Sequence, residues 1–302
     1  MPIAGRGTGE PKGFRVRQYL NLIGAVGKLD SKNEVRIEDL REANIDDLIY
    51  VCSSNRLEDP LHQKGVVLKK NWLLRMLRDH GPFAKIAYLK DKPVSQILFH
   101  PEEADPTKRM KRDGAIFLVC VYNPFTEAQR LGTGTMLLPP LITDCSSGLE
   151  CLGDKPCSFI VTKAFNTGQY LSLPEFYRRR GFEPSPSEPE TFYLEITKPY
   201  EPSGVAEGYK PLPEDEGKAV VFYSPTCQFS CPFAVRISQT ISEIAPDLPI
   251  EMISEWEKPE ESIKRKNWWL IVNAKPIHTF FMEEDKFKAE VKKAIVTRNQ
   301  TL

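Results

Sequence analysis

The chain has 302 residues, and 41 Lys and Arg are balanced by 41 Asp and Glu, so the formal charge is zero. That balance argues against a dedicated nucleic-acid binder, which carries a basic excess. A content of 41% hydrophobic and 27% charged residues is ordinary for a soluble globular protein, no run reaches the ~20 apolar residues of a spanning helix, and the length predicts about two domains.

Residues 1–33 are Gly-rich, basic and poorly patterned, and the segment MPIAGRGTGEPKGFRVRQ has no apolar core of a secretory signal behind it. The missing export signal predicts the cytoplasm. There the seven cysteines (Cys52, Cys120, Cys145, Cys151, Cys157, Cys227 and Cys231) are expected as thiols rather than as a disulfide framework.

Residues 34–198 alternate strand-like and helix-like patterns. Glu34–Leu40 reads as a strand. Ala43–Ser54 reads as a helix, with Ile45, Leu48, Ile49 and Cys52 at helical spacing. A second helix is expected over Leu68–His80, with Trp72, Leu73, Met76 and Leu77 on one face and Gly81-Pro82 as its stop. Three strands follow, Phe83–Leu89, Val94–His100 and Ala115–Tyr122. NPFTEAQRLGTGT at 123–135 then runs into MLLPPLI at 136–142, a strand, a Gly-containing turn and a helix that Pro139 and Pro140 should delay or kink. Ser158–Phe165 is a strand, Leu173–Arg180 a helix closed by Gly181, and Thr191–Thr197 a last strand. Residues 199–217, with four prolines and five acidic residues, read as an exposed linker. Residues 218–302 start a second domain.

The turn Gln129-Arg130-Leu131-Gly132-Thr133-Gly134 has the form Q-x-x-G-x-G and stands between a strand and a helix. Glycines let a backbone approach a ligand closely, and successive N–H groups ahead of a helix make a concave anion site that suits a pyrophosphate. It is neither a Walker turn, lacking the Lys-Ser/Thr, nor a dinucleotide fingerprint, lacking the third glycine. About forty residues on stands Tyr177-Arg178-Arg179-Arg180-Gly181-Phe182, of the form Y-x-x-x-G-F.

The element order, the Q-x-x-G-x-G turn and the Y-x-x-x-G-F ending together resemble the GNAT superfamily of N-acetyltransferases over roughly residues 34–198. The resemblance implies an α/β fold, a mixed sheet flanked by helices, with acetyl-CoA as substrate. Its pyrophosphate would lie on the backbone amides of Gln129, Arg130, Leu131, Gly132, Thr133, Gly134 and Thr135. Its pantetheine arm would lie along Leu118–Tyr122, Val119 and Val121 among them, where that strand splays from its neighbour. The family tyrosine that protonates the departing thiolate matches Tyr177. Where the family often places an asparagine that touches the CoA arm this sequence has Tyr170, so either Asn166, farther back, substitutes through a longer loop or the contact is absent. An amine, deprotonated by a carboxylate or through water, would attack the thioester. Glu127 and His100 are candidates for that base, each set against an ordinary role as a solvated loop carboxylate or a satisfied strand-end histidine. Arg178–Arg180 reads as a solvated basic face or as a contact for the 3′-phosphate.

In the second domain, KAVVFYS at 218–224 is a strand and Phe233–Ile244 a helix, with Cys227 and Cys231 in the turn between them. Leu248–Ser254 is a strand, Trp268–Asn273 and Ile277–Met282 are the arms of a hairpin, and Phe287–Ile295 is a terminal helix. This order resembles a smaller thioredoxin-like α/β domain, and the pairing of the two domains resembles proteins with a C-terminal YoaP-type domain. A thiol at a helix N-terminus is expected to be acidified. The C-x-x-x-C spacing leaves redox exchange, a regulatory disulfide and a soft metal or metalloid open. Cys145, Cys151 and Cys157 repeat at five intervening residues but lack a C-x-x-C knuckle and a nearby histidine, which argues against zinc.

The leading expectation is an acetyl-CoA-dependent N-acetyltransferase for a small-molecule or peptide amine, with no nucleic-acid or membrane partner, no metal, and a homodimer left open. The alternatives are a CoA-binding redox or metal sensor without transfer activity, and a thiol–disulfide oxidoreductase.

Overall fold

The computed structural model describes residues 35–164, 171–204 and 208–296. They divide into two units. One holds residues 35–51, 79–104 and 111–204, and the other 52–78, 105–110 and 208–296. Residues 52–78, taken from the first run of alternating patterns, thus group with the C-terminal sequence.

The first unit is a mixed α/β structure around a seven-stranded sheet. Its strands are β1 (Val35–Asp39), β2 (Ala84–Leu89), β3 (Lys92–Pro101), β4 (Ala115–Tyr122), β5 (Phe159–Lys163), β6 (Glu183–Pro184) and β7 (Thr191–Glu195), in the order β1-β2-β3-β4-β5-β7-β6. The pair β4–β5 is parallel and the other five are antiparallel. Every strand expected from the sequence between residues 34 and 198 is present, the short β6 in addition.

The β2–β3 hairpin turns on Lys90 and Asp91, both at positive φ (49° and 62°), which matches the twist of the flanking strands. Helices α1 (Ile45–Ser53) and α2 (Pro60–His80) follow β1. Helix α2 begins eight residues before the expected Leu68, because Asp59 Oδ1 accepts the N–H groups of Leu61 (2.9 Å) and His62 (3.3 Å) and Pro60 takes the first helical position.

After β4 the chain makes three helical pieces, α3 (Thr126–Arg130), α4 (Thr133–Met136) and α5 (Leu138–Ser147). Pro139 and Pro140 fall in the first turn of α5, where an N–H is not needed. The short α6 (Leu173–Arg178) precedes Gly181, whose φ of +82° closes it as expected. Lys85 on β2 is buried between Asp39 of β1 (2.6 Å) and Asp144 of α5, so its charge enters the unit already paired.

The second unit contains β8 (Ala219–Tyr223), α7 (Ser230–Ile244), β9 (Ile250–Ser254), α8 (Pro259–Lys264), β10 (Leu270–Val272), β11 (Lys275–Pro276) and α9 (Glu284–Val296). Its sheet order is β11-β10-β8-β9, with β8 and β9 parallel and β10 antiparallel to both neighbours. The alternation in β8 makes the two faces: Ala219 and Val221 pack with Ile237, Ile241, Phe287 and Val291, and Val220 and Phe222 with Tyr209, Ile253 and Ile271. Two expectations change here. The hairpin turns at Asn273–Ala274, both at positive φ (49° and 56°), so its second arm is Lys275–Pro276 and not Ile277–Met282. The helix α8 was not expected at all.

The segment 199–217, expected as an exposed linker, is partly built into this unit. Tyr209 and Asp215 are buried, the Tyr209 hydroxyl donates to Asp215 Oδ2 at 2.8 Å, and Arg265 grips the same carboxylate through Nε and Nη2 at 2.6–3.0 Å.

Helix α2 meets the chain between the two C-terminal cysteines at close range. A Cβ on Gly65 would lie 1.9 Å from the Gln228 carbonyl oxygen and 2.9 Å from Pro232 Cδ. Beside it Ser53 Oγ lies 2.7 Å from His62 Nε2, the Gln228 side-chain amide donates to Ser53, and the Phe229 ring sits 4.8 Å from the His62 ring. Gly65→Ala should therefore destabilise the protein by about 1–3 kcal/mol through overpacking, even though alanine adds about 1 kcal/mol of helix propensity. A urea titration reads this as a lower midpoint; an unchanged or higher midpoint would show that the turn yields freely.

Candidate active site

Strands β4 and β5 run parallel and paired from Ala115↔Phe159 to Leu118↔Thr162, and among the described residues they pair no further. Strand β4 continues to Tyr122. On its other side the pairing with β3 passes from Phe99↔Leu118 to Leu98↔Cys120, so Val119 is a bulged residue. A bulge bends and twists its strand, and it falls at the point where β4 leaves β5. Thr162 Oγ1 donates to the Leu118 carbonyl at 2.8 Å and closes the fork. Beyond it stand the half-buried Val119 and Val121, for which no strand partner on the β5 side lies among the described residues.

The Gly-containing turn follows directly. Gly132 has φ +68°, and a Cβ there would meet nothing within 4 Å. Its conformation asks for glycine, but several amides expected in the cradle already have partners: the N–H groups of Gln129, Gly132 and Thr135 donate to the carbonyls of Phe125 (2.9 Å), Gln129 (3.0 Å) and Gly132 (2.8 Å). Gly134 differs. A Cβ there would touch Asn123 Cβ and Val121 Cγ1 at 3.7 and 3.8 Å, ordinary contacts, so a methyl fits and a larger side chain presses on the end of β4.

The side chains of Gln129 and Thr133 hold the turn together. Gln129 Nε2 donates to the Asn123 carbonyl (2.8 Å), and the buried Thr133 hydroxyl accepts from Asn123 Nδ2 (3.0 Å). Arg130 is exposed, and with Leu131 it lines an open depression together with Leu89, Lys90, Lys92 and Glu127. Asn123 Oδ1 is buried and has no hydrogen-bond partner among the described residues. Such an acceptor normally has a donor, and it stands where the open stretch of β4 meets the turn.

Tyr177 on α6 is fully buried, between the rings of Phe176 and Phe182. Its hydroxyl lies 3.5 Å from the Thr162 hydroxyl, so it reaches the fork of β4 and β5. Burial pushes the phenol well above its ordinary range, against the Thr162 hydrogen bond and the Arg180 charge, which pull it down. The proton stays on the oxygen, as a proton donor requires.

The three arginines after Tyr177 part company. Arg179 pairs with Glu175, and Arg178 lies over the Phe192 ring at 5.2 Å. Arg180 is not a solvated face: it stacks 3.7 Å over Phe176, donates Nη1 to the Phe176 carbonyl (2.6 Å) and donates Nη2 to Thr135 Oγ1 in the turn.

Neither candidate base is placed as one. His100 is buried and donates Nδ1–H to the Pro101 carbonyl at 2.9 Å. Glu127 is more than half exposed and pairs with Lys92 at 3.3 Å. Asn166 lies outside the described residues. Sequence reasoning missed Thr162, Asn123 and the buried Gln96, whose amide lies 3.7 Å from Cys120 Sγ. The available signal was a polar residue inside an apolar strand, Gln96 in VSQILF and Thr162 in FIVTK.

The thiols separate by burial. Cys145, Cys151 and Cys157 are buried together in the first unit. Burial pushes Cys151 up to about 12 and Cys145 well above its ordinary range, with the hydrogen bond to Cys157 adding to the latter. Among the described residues no group of three or more His, Cys, Asp or Glu side chains is placed to hold a metal ion. In the second unit Cys227 is exposed and Cys231 half-buried. Contrary to the acidification expected at a helix N-terminus, burial raises the Cys231 thiol, and the Lys64 charge only partly offsets it. No helix among the described residues is long and apolar enough to cross a membrane.

No family model matches the chain, and no curated protein matches it. Among solved structures it is similar to Ard1 from Thermoplasma volcanium, at 12% identity over 54% of this chain and 97% of that one, with a TM-score of 0.38. The PaiA N-acetyltransferase from Thermoplasma acidophilum in complex with coenzyme A is similar at 13% identity over 54% and 98%, TM-score 0.36. A GNAT family acetyltransferase from Brucella melitensis in complex with acetyl-CoA is similar at 18% identity over 57% and 93%, TM-score 0.36. Similarity at this level assigns no residue a role.

Alkylation of the native protein should label Cys227 first and leave Cys145, Cys151 and Cys157 unlabelled until denaturant is added, since the thiolate is the nucleophile. Peptide mass mapping over time checks this, and early labelling at Cys151 would contradict the burial.

Proposed function

We propose that residues 34–198 form an acetyl-CoA-dependent N-acetyltransferase of GNAT type, acting on an amine, and that residues 218–302 form an appended thioredoxin-like domain of YoaP type bearing Cys227 and Cys231. The observation that carries the first part is the fork: among the described residues β4 and β5 pair no further than Leu118↔Thr162, beside a turn with Gly132 at φ +68° and nothing facing its Cβ position, with the Tyr177 hydroxyl at the branch. The residues suit a phosphopantetheine ligand. The turn offers main-chain donors to a diphosphate, and the orphan acceptor of Asn123 and the open stretch of β4 match amide groups of a pantetheine arm.

Acetyl-CoA would supply an acyl group activated as a thioester. The chain's own part is positioning and proton transfer. The N–H groups of Thr133 and Gly134, at the start of α4, would hold the diphosphate, Val119 and Val121 would align the arm, and a β4 N–H would stabilise the negative charge that gathers on the carbonyl oxygen. Tyr177 keeps a proton within a dry site for the leaving sulfur. The engagement of His100 and Glu127 elsewhere favours removal of the amine proton through water.

Support for the thioredoxin-like reading of the second unit is its order β-α-β-α-β-β-α, its sheet order β11-β10-β8-β9 and the cysteine pair at the turn from β8 to α7. The exposure of Cys227 favours a second reading of that unit as a thiol sensor.

Incubating the full chain with acetyl-CoA and an amine panel should release free CoA and yield a product heavier by one acetyl group by mass spectrometry. Tyr177→Phe should then lower kcat by about a hundredfold or more and leave the KM for acetyl-CoA within about twofold. Parallel loss of both would make Tyr177 a packing residue, and no CoA release with any amine would remove the transferase reading.

A further inference from the structure

Two groups of the proposed site, the turn and α6, are bridged by one side chain. Arg180 leaves the chain just after α6, two residues before Phe182. Its guanidinium plane lies 3.7 Å from the Phe176 ring centroid, a stacking that fixes the plane of the fork of donors. Nη1 is committed to the Phe176 carbonyl at 2.6 Å, so the other end of the fork has one direction left, and there Nη2 meets Thr135 Oγ1. Thr135 is in the first turn of α4, where its N–H donates to the Gly132 carbonyl at 2.8 Å. The charge also acts on the Tyr177 phenol. A residue with three anchors is held in one rotamer, and arginine loses less freedom per hydrogen bond than lysine in doing so.

We propose that Arg180 is a positioning residue of the diphosphate cradle: through Thr135 it fixes the Gly132–Thr135 turn against α6 and brings a fixed cation to the rim of an anion site. The inference rests on the acetyl-CoA reading above. It assigns Arg180 a role distinct from Arg178 and Arg179, whose contacts are an aromatic face and a neighbouring carboxylate. A charged hydrogen bond that shapes a site contributes more than a neutral one, and its loss is expected to be felt in ligand affinity rather than in the fold.

The test is a double-mutant cycle on CoA binding, measured by calorimetry on the full chain with no amine present. Arg180→Met should weaken CoA binding about tenfold, and Thr135→Val should weaken it to a similar extent. The double variant should be no weaker than Arg180→Met alone, because both single changes break one interaction. Arg180→Lys should recover part of the loss, since it restores the charge without the fork. Melting temperatures should stay close to the parent value. Unchanged affinity in Arg180→Met, or losses that simply multiply in the double variant, would overturn the role of Arg180 while leaving acetyl-CoA as the ligand. If the parent chain itself binds no CoA, the acetyl-CoA reading fails, and the cradle with it. Should Arg180→Met not fold, Thr135→Val and Arg180→Lys carry the test: normal CoA affinity in Thr135→Val would overturn the proposal.

Discussion

The first unit depends on one break in a ladder. A parallel strand pair is normally continuous, since each strand satisfies the other's main-chain groups. Here the pairing of β4 with β5 stops at Leu118↔Thr162, although β4 continues to Tyr122. The bulge at Val119 supplies the turn away from β5, and the Thr162 hydroxyl takes over the last carbonyl at 2.8 Å. The Gly132 turn, Asn123 Oδ1 and the Tyr177 hydroxyl are gathered round this end of the pairing.

The second unit is held by a different device, the burial of polar groups in matched sets. Asp215 and Arg265 are both buried, and the pair is completed by Tyr209 on one side and by Glu261 on the other. An unpaired charge at this depth would cost several kcal/mol, so the segment ahead of β8 cannot detach without exposing or stranding Arg265. The Ser53–His62–Gln228 set works in the same way on the other side. Burial lowers the His62 pKa, against the pull of Asp59, so a neutral imidazole sits in the chain of hydrogen bonds. Together with the missing side chain at Gly65, this fixes Gln228 and Phe229, between Cys227 and Cys231, while leaving Cys227 itself at the surface.

Periodicity made most of the elements legible. The strands from Glu34 to Thr197, the Gly181 stop and the late helix behind Pro139 and Pro140 could all be read from residue order, because each depends on neighbours in sequence. The start of α2 could not, since the polar run PLHQKG hides an apolar face that is completed only by Gln228 and Phe229. The helix α8 is short, and its place is set by Arg265 reaching Asp215 across fifty residues. For the site, the turn and Tyr177 were visible as motifs. The roles inside the turn were not: Gln129 carries a motif position and Thr133 a variable one, yet both side chains serve Asn123, a residue without a motif.

Arg180 shows why residue type alone misleads here. Three consecutive arginines in a polar segment suggest a solvated basic face, and two of them do find ordinary surface partners. The third follows α6 at the point where the helix ends and the chain bends into Gly181, whose φ of +82° turns the backbone away. Its side chain is held across Phe176 toward Thr135 by its own contacts, the Phe176 ring, the Phe176 carbonyl and the Thr135 hydroxyl, none of which the run of three arginines announces. The same logic runs through the thiols: Cys145 and Cys231 are identical in sequence terms, and it is depth that makes the first inert and leaves the second half-buried beside Lys64.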